Sequence, residues 1–294
     1  MNDSSPSIVF AGTPEFAAHI LQKLIDEKFN IKAVMTQPDR PAGRGQNTLP
    51  SAVKKVALTN ELPIWQPQSL KENGQAIEFL WKNIDFFIVV AYGLLIPKPW
   101  LNQPKCAPLN VHGSLLPKWR GAAPVQHAIL SGDAVTGVSI MQLEEKLDAG
   151  PVYLRREIPI ESNDTSESVL IKLSQLGAEA LIDVLRHWLQ PGYQPEIQNH
   201  SYATYASKLN KSDGLLNWEM SASQIDRTVR ALDPWPGARI NSDLGELRIW
   251  GNVSNSTSKS IAVGTIQKVS NDGIEVQTQQ GIFNVKELQI PGKK

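Results

Sequence analysis

The sequence predicts an α/β protein: a first domain built on a mostly parallel sheet, then a smaller all-β domain. Three observations predict it. Over the first half, short apolar segments at strand spacing alternate with segments at helical spacing. Phe86 to Ala91 is a continuous apolar run between Asp85 and Gly93, which suits a strand buried on both faces. After about residue 205 the pattern changes to short alternating strands separated by turn residues.

The first strand is expected at Ile8–Ala11, running into Gly12-Thr13-Pro14. Thr13 can cap the following helix with Pro14 at its first position. Phe16, Ile20, Leu21, Leu24 and Ile25 give that helix its apolar stripe, and Ile31 to Met35 is the next strand. Strands alternating with helices imply a parallel, Rossmann-like sheet covered by helices. A long helix follows, with Asp164 and Glu167 at capping-box spacing and a stripe from Val169 to Trp188.

Pro191 to Gln198 is rich in Pro, Gly and Gln and reads as a linker. The expected division is therefore a first domain over 1–190, a linker over 191–205 and a second domain over 206–294. In the second, Ser221 and Gln224 can cap a short helix carrying Ile225, Val229 and Leu232. Strands are expected at Glu246–Trp250, Gly264–Val269, Ile274–Gln279 and Phe283–Leu288, with Asn271-Asp272-Gly273 and Gln280-Gly281 as turns. That describes a small OB-like β-barrel, a fold that often binds oligonucleotides without establishing that it does so.

Composition narrows the function classes. The chain is 41% hydrophobic and 20% charged, the profile of an ordinary soluble protein. Phe86 to Pro97 is too short to span a bilayer and the polar start is unlike a signal peptide, so no membrane role is expected. The one cysteine, Cys106, excludes an internal disulfide framework and a cysteine-cluster metal site, and fits the cytoplasm. Cys106 itself reads as a small core residue. Formal net charge is zero, so nucleic acid could be attracted only by local basic patches.

The segment most informative about chemistry runs from Leu109 to Pro124. On an extended strand Asn110 and His112 project on one face. An amide donor and an imidazole then converge where a tetrahedral oxyanion could form, and one such donor is worth about 3–4 kcal/mol. Asn-x-His also fits a satisfied histidine beside a turn. Asp148 in Leu147-Asp148-Ala149-Gly150-Pro151 reads equally as a turn residue. If its loop folds over His112, the carboxylate would favour the charged imidazole and could take a proton from an attacking amine. No serine or cysteine nucleophile, P-loop or HExxH is evident, and Gly43-Arg44-Gly45 lacks the third glycine of a dinucleotide fingerprint.

Gln37 to Lys55 reads as a long exposed loop with net charge +3 from Arg40, Arg44, Lys54 and Lys55 against Asp39. Such a loop is either solvated surface or an RNA clamp. From Lys208 to Lys294 there are eleven basic and nine acidic residues, only mildly basic. Arg227 and Arg230 share a helix face, with Lys208 and Lys211 nearby in sequence. Trp235, between two prolines, reads as a packing anchor rather than a stacking platform.

These motifs carry a resemblance. Phe10 to Ala17, the Gln37–Pro50 loop, Ala91 to Pro97, Asn110 to Pro124, Leu147 to Gly150 and Arg230 to Pro236 resemble the folate-dependent formyltransferase superfamily, and within it the bacterial methionyl-tRNA formyltransferase branch. The resemblance implies 10-formyltetrahydrofolate as formyl donor, no metal, and methionyl initiator tRNA as acceptor, with a monomeric enzyme. It implies Asn110, His112 and Asp148 as the catalytic residues. Folate would lie along Ser114, Leu115, Leu116 and Pro117 and against Tyr92, Gly93, Leu94 and Leu95. Arg40 and Arg44 would engage the tRNA acceptor end, with Lys208, Lys211, Arg227 and Arg230 as further contacts. The nearest rival is a formyltransferase acting on a small amine, such as an amino sugar nucleotide or a purine precursor. A non-catalytic RNA-binding protein would not need the Asn110, His112 and Asp148 set, and a hydrolase would put water in place of the amine.

Overall fold

The computed structural model describes residues 6–42, 47–71, 83–188, 190, 192–258 and 261–292. The chain divides into two compact units. The first holds residues 1–120, 137–158 and 170–205, and the second holds 121–136, 159–169 and 206–294. The span 191–205 expected to be a linker thus falls within the first unit. The second unit also takes two stretches, 121–136 and 159–169, from the span expected to be the first domain.

In the first unit, β1 (Ser7–Gly12), β2 (Asn30–Met35), β5 (Ile64–Trp65), β6 (Phe86–Val90), β7 (Ala107–His112), β9 (Val135–Gln142) and β10 (Val152–Pro159) form one sheet. Its order is β10-β9-β7-β6-β1-β2-β5. The pairs β1–β2, β1–β6, β2–β5 and β6–β7 are parallel, and β9 returns antiparallel to β7. All five residues of β6 are buried, as a strand covered on both faces requires. Alternate residues sort by face: Val9 and Ala11, Ala33 and Met35, and Phe87 and Val89 join one cluster with Tyr92 and Trp100. The helix Ser166–His187 packs closely on the sheet, so that a Cβ added at Gly177 would lie 2.9 Å from Val111.

The chain runs from β1 to β2 and β5 in one direction across the sheet, then to β6 on the other side of β1. The carboxyl ends of β1 and β6 therefore flank a topological switch point, where open α/β sheets bind ligands. The close approach there excludes a side chain at Gly12, whose Cβ would lie 2.6 Å from Ala17 and 2.9 Å from the Val90 carbonyl.

Three local expectations change. Thr13 does not cap the helix Glu15–Asp26, because its hydroxyl donates to the Tyr92 carbonyl at 2.9 Å and Pro14 takes the cap position. The long helix is capped one residue later than expected: Thr165 and Ser168 exchange backbone-to-hydroxyl bonds of 3.0 and 3.2 Å, while Asp164 accepts from the Glu161 N–H and the Ser168 hydroxyl. The basic loop after β2 is partly structured, as β3 (Arg40–Ala42) and β4 (Asn47–Leu49) pair antiparallel as a hairpin. Arg44 lies outside the described residues. β8 (Arg120–Gly121) and β11 (Tyr205–Ala206) form a two-stranded ladder of their own.

In the second unit, β12 (Leu215–Leu216), β13 (Arg239–Ser242), β14 (Gly245–Val253), β15 (Ile266–Ser270), β16 (Gly273–Gln277) and β17 (Ile282–Gln289) order as β12-β13-β14-β17-β16-β15. Every pair is antiparallel except β12–β13. The helix Ala222–Leu232 has the expected capping box, Ser221 with Gln224. Its Ile225 and Val229 bury against Ile240, Ile249, Val276, Phe283 and Val285. Sequence reading missed β12 and β13, which are too short to show a period. Trp235 is 52% exposed.

Candidate active site

The site grows from the carboxyl end of β7. Asn110 and His112 are two residues apart on this strand and so share a face. Both are buried, at 9% and 6% exposure, which gives their polar groups a low-dielectric setting. Asn110 stands level with Val89 of β6 and Met141 of β9.

Asp148 does fold over His112. Its Oδ2 lies 3.7 Å from the imidazole Nδ1, with the two side chains 10% and 7% exposed. The other ring nitrogen, Nε2, lies 2.8 Å from the Trp119 carbonyl. A carbonyl only accepts, so Nε2 carries a hydrogen and donates it. The ring is therefore fixed through Nε2, which leaves Nδ1 facing the Asp148 carboxylate. Trp119 holds its carbonyl in place from a left-handed backbone, φ 61°. Its N–H donates to the Thr204 hydroxyl and the Arg120 N–H to the Thr204 carbonyl, each at 2.9 Å.

Asp148 also has left-handed backbone, φ 45°. Two residues on, Gly150 faces the chain so closely that a Cβ would overlap the Gln142 carbonyl oxygen. Backbone cannot move aside as a side-chain tip can. Gly150→Ala is expected to lower stability by about 1–3 kcal/mol and to reduce turnover by misplacing Asp148. Chemical denaturation with an activity assay checks it, and an unchanged midpoint would contradict the packing described.

The segment after β6 forms the neighbouring wall. Ala91 has φ 45° and Gly93 φ 83°, so the chain turns sharply as it leaves the sheet. The Tyr92 carbonyl accepts from Thr13 and from the Gln37 amide at 3.0 Å, tying this loop to those after β1 and β2. The Tyr92 ring is buried, its hydroxyl has no hydrogen-bond partner among the described residues, and burial pushes its pKa up. Leu94 packs partly on the core, and Leu95 is 82% exposed.

Ser114 to Pro117 is more internal than expected of a ligand-binding stretch. Ser114 is fully buried and its hydroxyl donates to the Lys118 carbonyl at 2.5 Å. Ser139 ties the Ser114 carbonyl and the Leu116 N–H together. Leu116 packs with Met141 and Val152. Leu115 and Pro117 remain half-buried at the edge. Cys106, expected in the core, is exposed just before β7.

The basic residues separate into two groups. Arg40, Lys208 and Lys211 are exposed. Arg227 and Arg230 are engaged within their own unit: Arg227 Nε donates to the Leu130 carbonyl at 3.1 Å, and Arg230 pairs with Asp226 at 2.9 Å and reaches the Asp164 carbonyl. Lys54 is likewise paired, with Asp39. That ammonium and the Gln66 amide hold the Asp39 carboxyl below its ordinary range.

A family profile described as formyl transferase matches residues 6–185. The chain belongs to that family. The formyl transferase C-terminal domain profile matches residues 208–294, so both units carry a match. Among solved structures, the fold is similar to an N-formyltransferase from Helicobacter canadensis described in complex with folinic acid and dTDP-3-aminofucose. The identity is 17% and the TM-score 0.72, over 97% of this chain and 100% of that one. WlaRD, a sugar 3N-formyl transferase described with dTDP and 5-N-formyl-THF, is 19% identical with a TM-score of 0.70, over 98% of this chain and 99% of that one. HypX from Aquifex aeolicus is 17% identical with a TM-score of 0.69 over 98% of this chain, which spans 46% of the HypX chain. At these identities the likeness is one of fold. Among the described residues, no helix of this formyl transferase is long and apolar enough to cross a membrane.

Sequence reading missed Trp119, Arg120, Gln198 and Thr204 as supports of the site. Gln198 lay in the segment taken for a linker, and no local pattern marks a glutamine whose partners are 48 to 78 residues away.

Proposed function

We propose that this formyl transferase moves a formyl group from a 10-formyltetrahydrofolate-type donor to a primary amine. The observation that carries this reading is the buried set at the end of β7: Asn110 and His112 on one face, with the Asp148 carboxylate 3.7 Å from the His112 ring. The amine attacks the formyl carbon. The Asn110 amide and the His112 ring supply donors to the oxygen that becomes negative. Asp148, directly or through water, takes the proton the amine loses. The tetrahedral intermediate collapses as its bond to the folate nitrogen breaks and that nitrogen takes up the proton held by Asp148, releasing tetrahydrofolate, so no covalent enzyme intermediate is needed. The donor's flat ring fits the switch point, where Gly93 and Leu95 are exposed and the Tyr92 carbonyl is already bonded.

The acceptor we assign is methionyl initiator tRNA. Support comes from the Arg40 hairpin after β2, the exposed Lys208 and Lys211, and the sequence resemblance to that branch. A second reading, an amino sugar nucleotide, is favoured by the fold likeness to enzymes described as sugar N-formyltransferases. The deciding assay offers 10-formyltetrahydrofolate with methionyl initiator tRNA, free methionine and an amino sugar nucleotide. Transfer to the tRNA alone is the expected result, and transfer to the sugar amine would replace the acceptor assignment. In the same assay Arg44→Ala, or Arg40→Ala, is expected to raise KM for the tRNA with little change in KM for the donor. Equal effects on both would remove the hairpin from acceptor binding.

A further inference from the structure

We propose that Gln198 is a positioning residue for the reaction, holding Asp148 in place and linking it to the support of His112. This rests on the reading of Asp148 as the amine's proton acceptor. The Gln198 amide nitrogen donates to two carbonyls, Asp148 at 2.9 Å and Gly150 at 2.6 Å. Those carbonyls bracket the turn whose left-handed residue is Asp148 itself. Left-handed backbone costs an aspartate less than most residues, and one amide gripping both ends of the turn holds it there.

The amide cannot flip. Its oxygen accepts from Arg120 Nε at 3.2 Å and Nη2 at 2.6 Å, and a guanidinium only donates. Arg120 is 1% exposed and Gln198 2%, so these bonds form away from competing water. Nη2 also lies 2.9 Å from His200 Nδ1, which must accept. The backbone on either side of Gln198 is fixed as well: Glu196 exchanges two 2.8 Å bonds with Val152, and Thr204 clamps Trp119 and Arg120.

Arg120 directly follows Trp119, whose carbonyl anchors His112 Nε2. The Arg120–Gln198 pair therefore connects both edges of the imidazole: the Nε2 side through the Trp119 backbone and the Nδ1 side through the Asp148 turn. A glutamine is needed because the position must accept from an arginine and donate to two carbonyls. A carboxylate can do only the first.

Gln198→Glu tests this, since it keeps the Arg120 contact and removes both donors. We expect kcat to fall about 10–100-fold with KM for donor and acceptor within about threefold, as for a reacting group displaced by a fraction of an ångström. Placed on Asp148→Asn, the same change is expected to lower the rate by less than about a further threefold, because both act through one group. Wild-type kcat in Gln198→Glu, or full multiplication of the two effects, would overturn the proposal. Should Gln198→Glu not fold by circular dichroism, Gln198→Met, apolar and of similar length, goes through the same cycle. If neither folds, Gln198 is a core structural residue and the proposal fails. A slow Gln198→Glu beside an Asp148→Asn of wild-type turnover would instead remove Asp148 from the chemistry, a different failure that takes the proposal with it.

Discussion

Replacing His112 or Asn110 by alanine is expected to lower formyl-transfer turnover by two or more orders of magnitude without unfolding the protein. The size follows from the oxyanion. Removing one preorganised donor from a buried site costs roughly 10²–10³ in kcat, or about 3–4 kcal/mol, against about 1 kcal/mol for a typical hydrogen bond facing water. Both side chains sit in such a setting, at 9% and 6% exposure. The structural cost is smaller. His112→Ala strips the Trp119 carbonyl of its 2.8 Å donor, which costs about 1–3 kcal/mol, while Thr204 still holds the flanking backbone. Single-turnover kinetics beside thermal unfolding separates the two effects. A His112→Ala enzyme that turns over like wild type would take the imidazole out of the reaction, and the same result at Asn110 would leave His112 the sole oxyanion donor.

Asp148→Asn is expected to cost about 10²–10⁴ in kcat, the range of a lost general base. This substitution isolates chemistry well. Asparagine tolerates left-handed backbone at least as readily as aspartate, so the φ of 45° at this position is no obstacle to it. The amide keeps the shape and most of the packing but cannot accept the amine's proton. Stability is expected to stay within about 1 kcal/mol, since the backbone carbonyls of the turn keep their bonds to Gln198. Raising the concentration of deprotonated amine acceptor at higher pH should recover part of the lost rate. A variant equally slow with a pre-deprotonated amine would mean that Asp148 acts on His112 rather than on the acceptor.

Much of the fold was legible because it depends on local patterns. The continuous run at Phe86–Val90 marks a doubly covered strand, and Ser221 with Gln224 marks a helix start three residues wide. Asn110 and His112 were legible for the same reason, since two residues apart on a strand means one face. The short strands β12 and β13 were not, because two to four residues carry no period. Thr13 misled because a capping side chain can serve a distant partner instead, here the Tyr92 carbonyl 79 residues on, and Asp164 because its neighbours Thr165 and Ser168 form the cap while it bonds Glu161 and Ser168.

The sequence by itself determined the α/β class, the strand that presents the amide and imidazole, and the family to which those motifs belong. All of these rest on spacings within a few residues. Only the tertiary structure decided that Asp148 meets His112, that Arg227 and Arg230 are bound internally while Lys208 and Lys211 stay exposed, and that the supposed linker delivers Gln198 to the site. The physical reason is that a buried polar group takes whichever partner the packed chain brings within about 3 Å. Sequence separation does not constrain that choice once the sheet has folded.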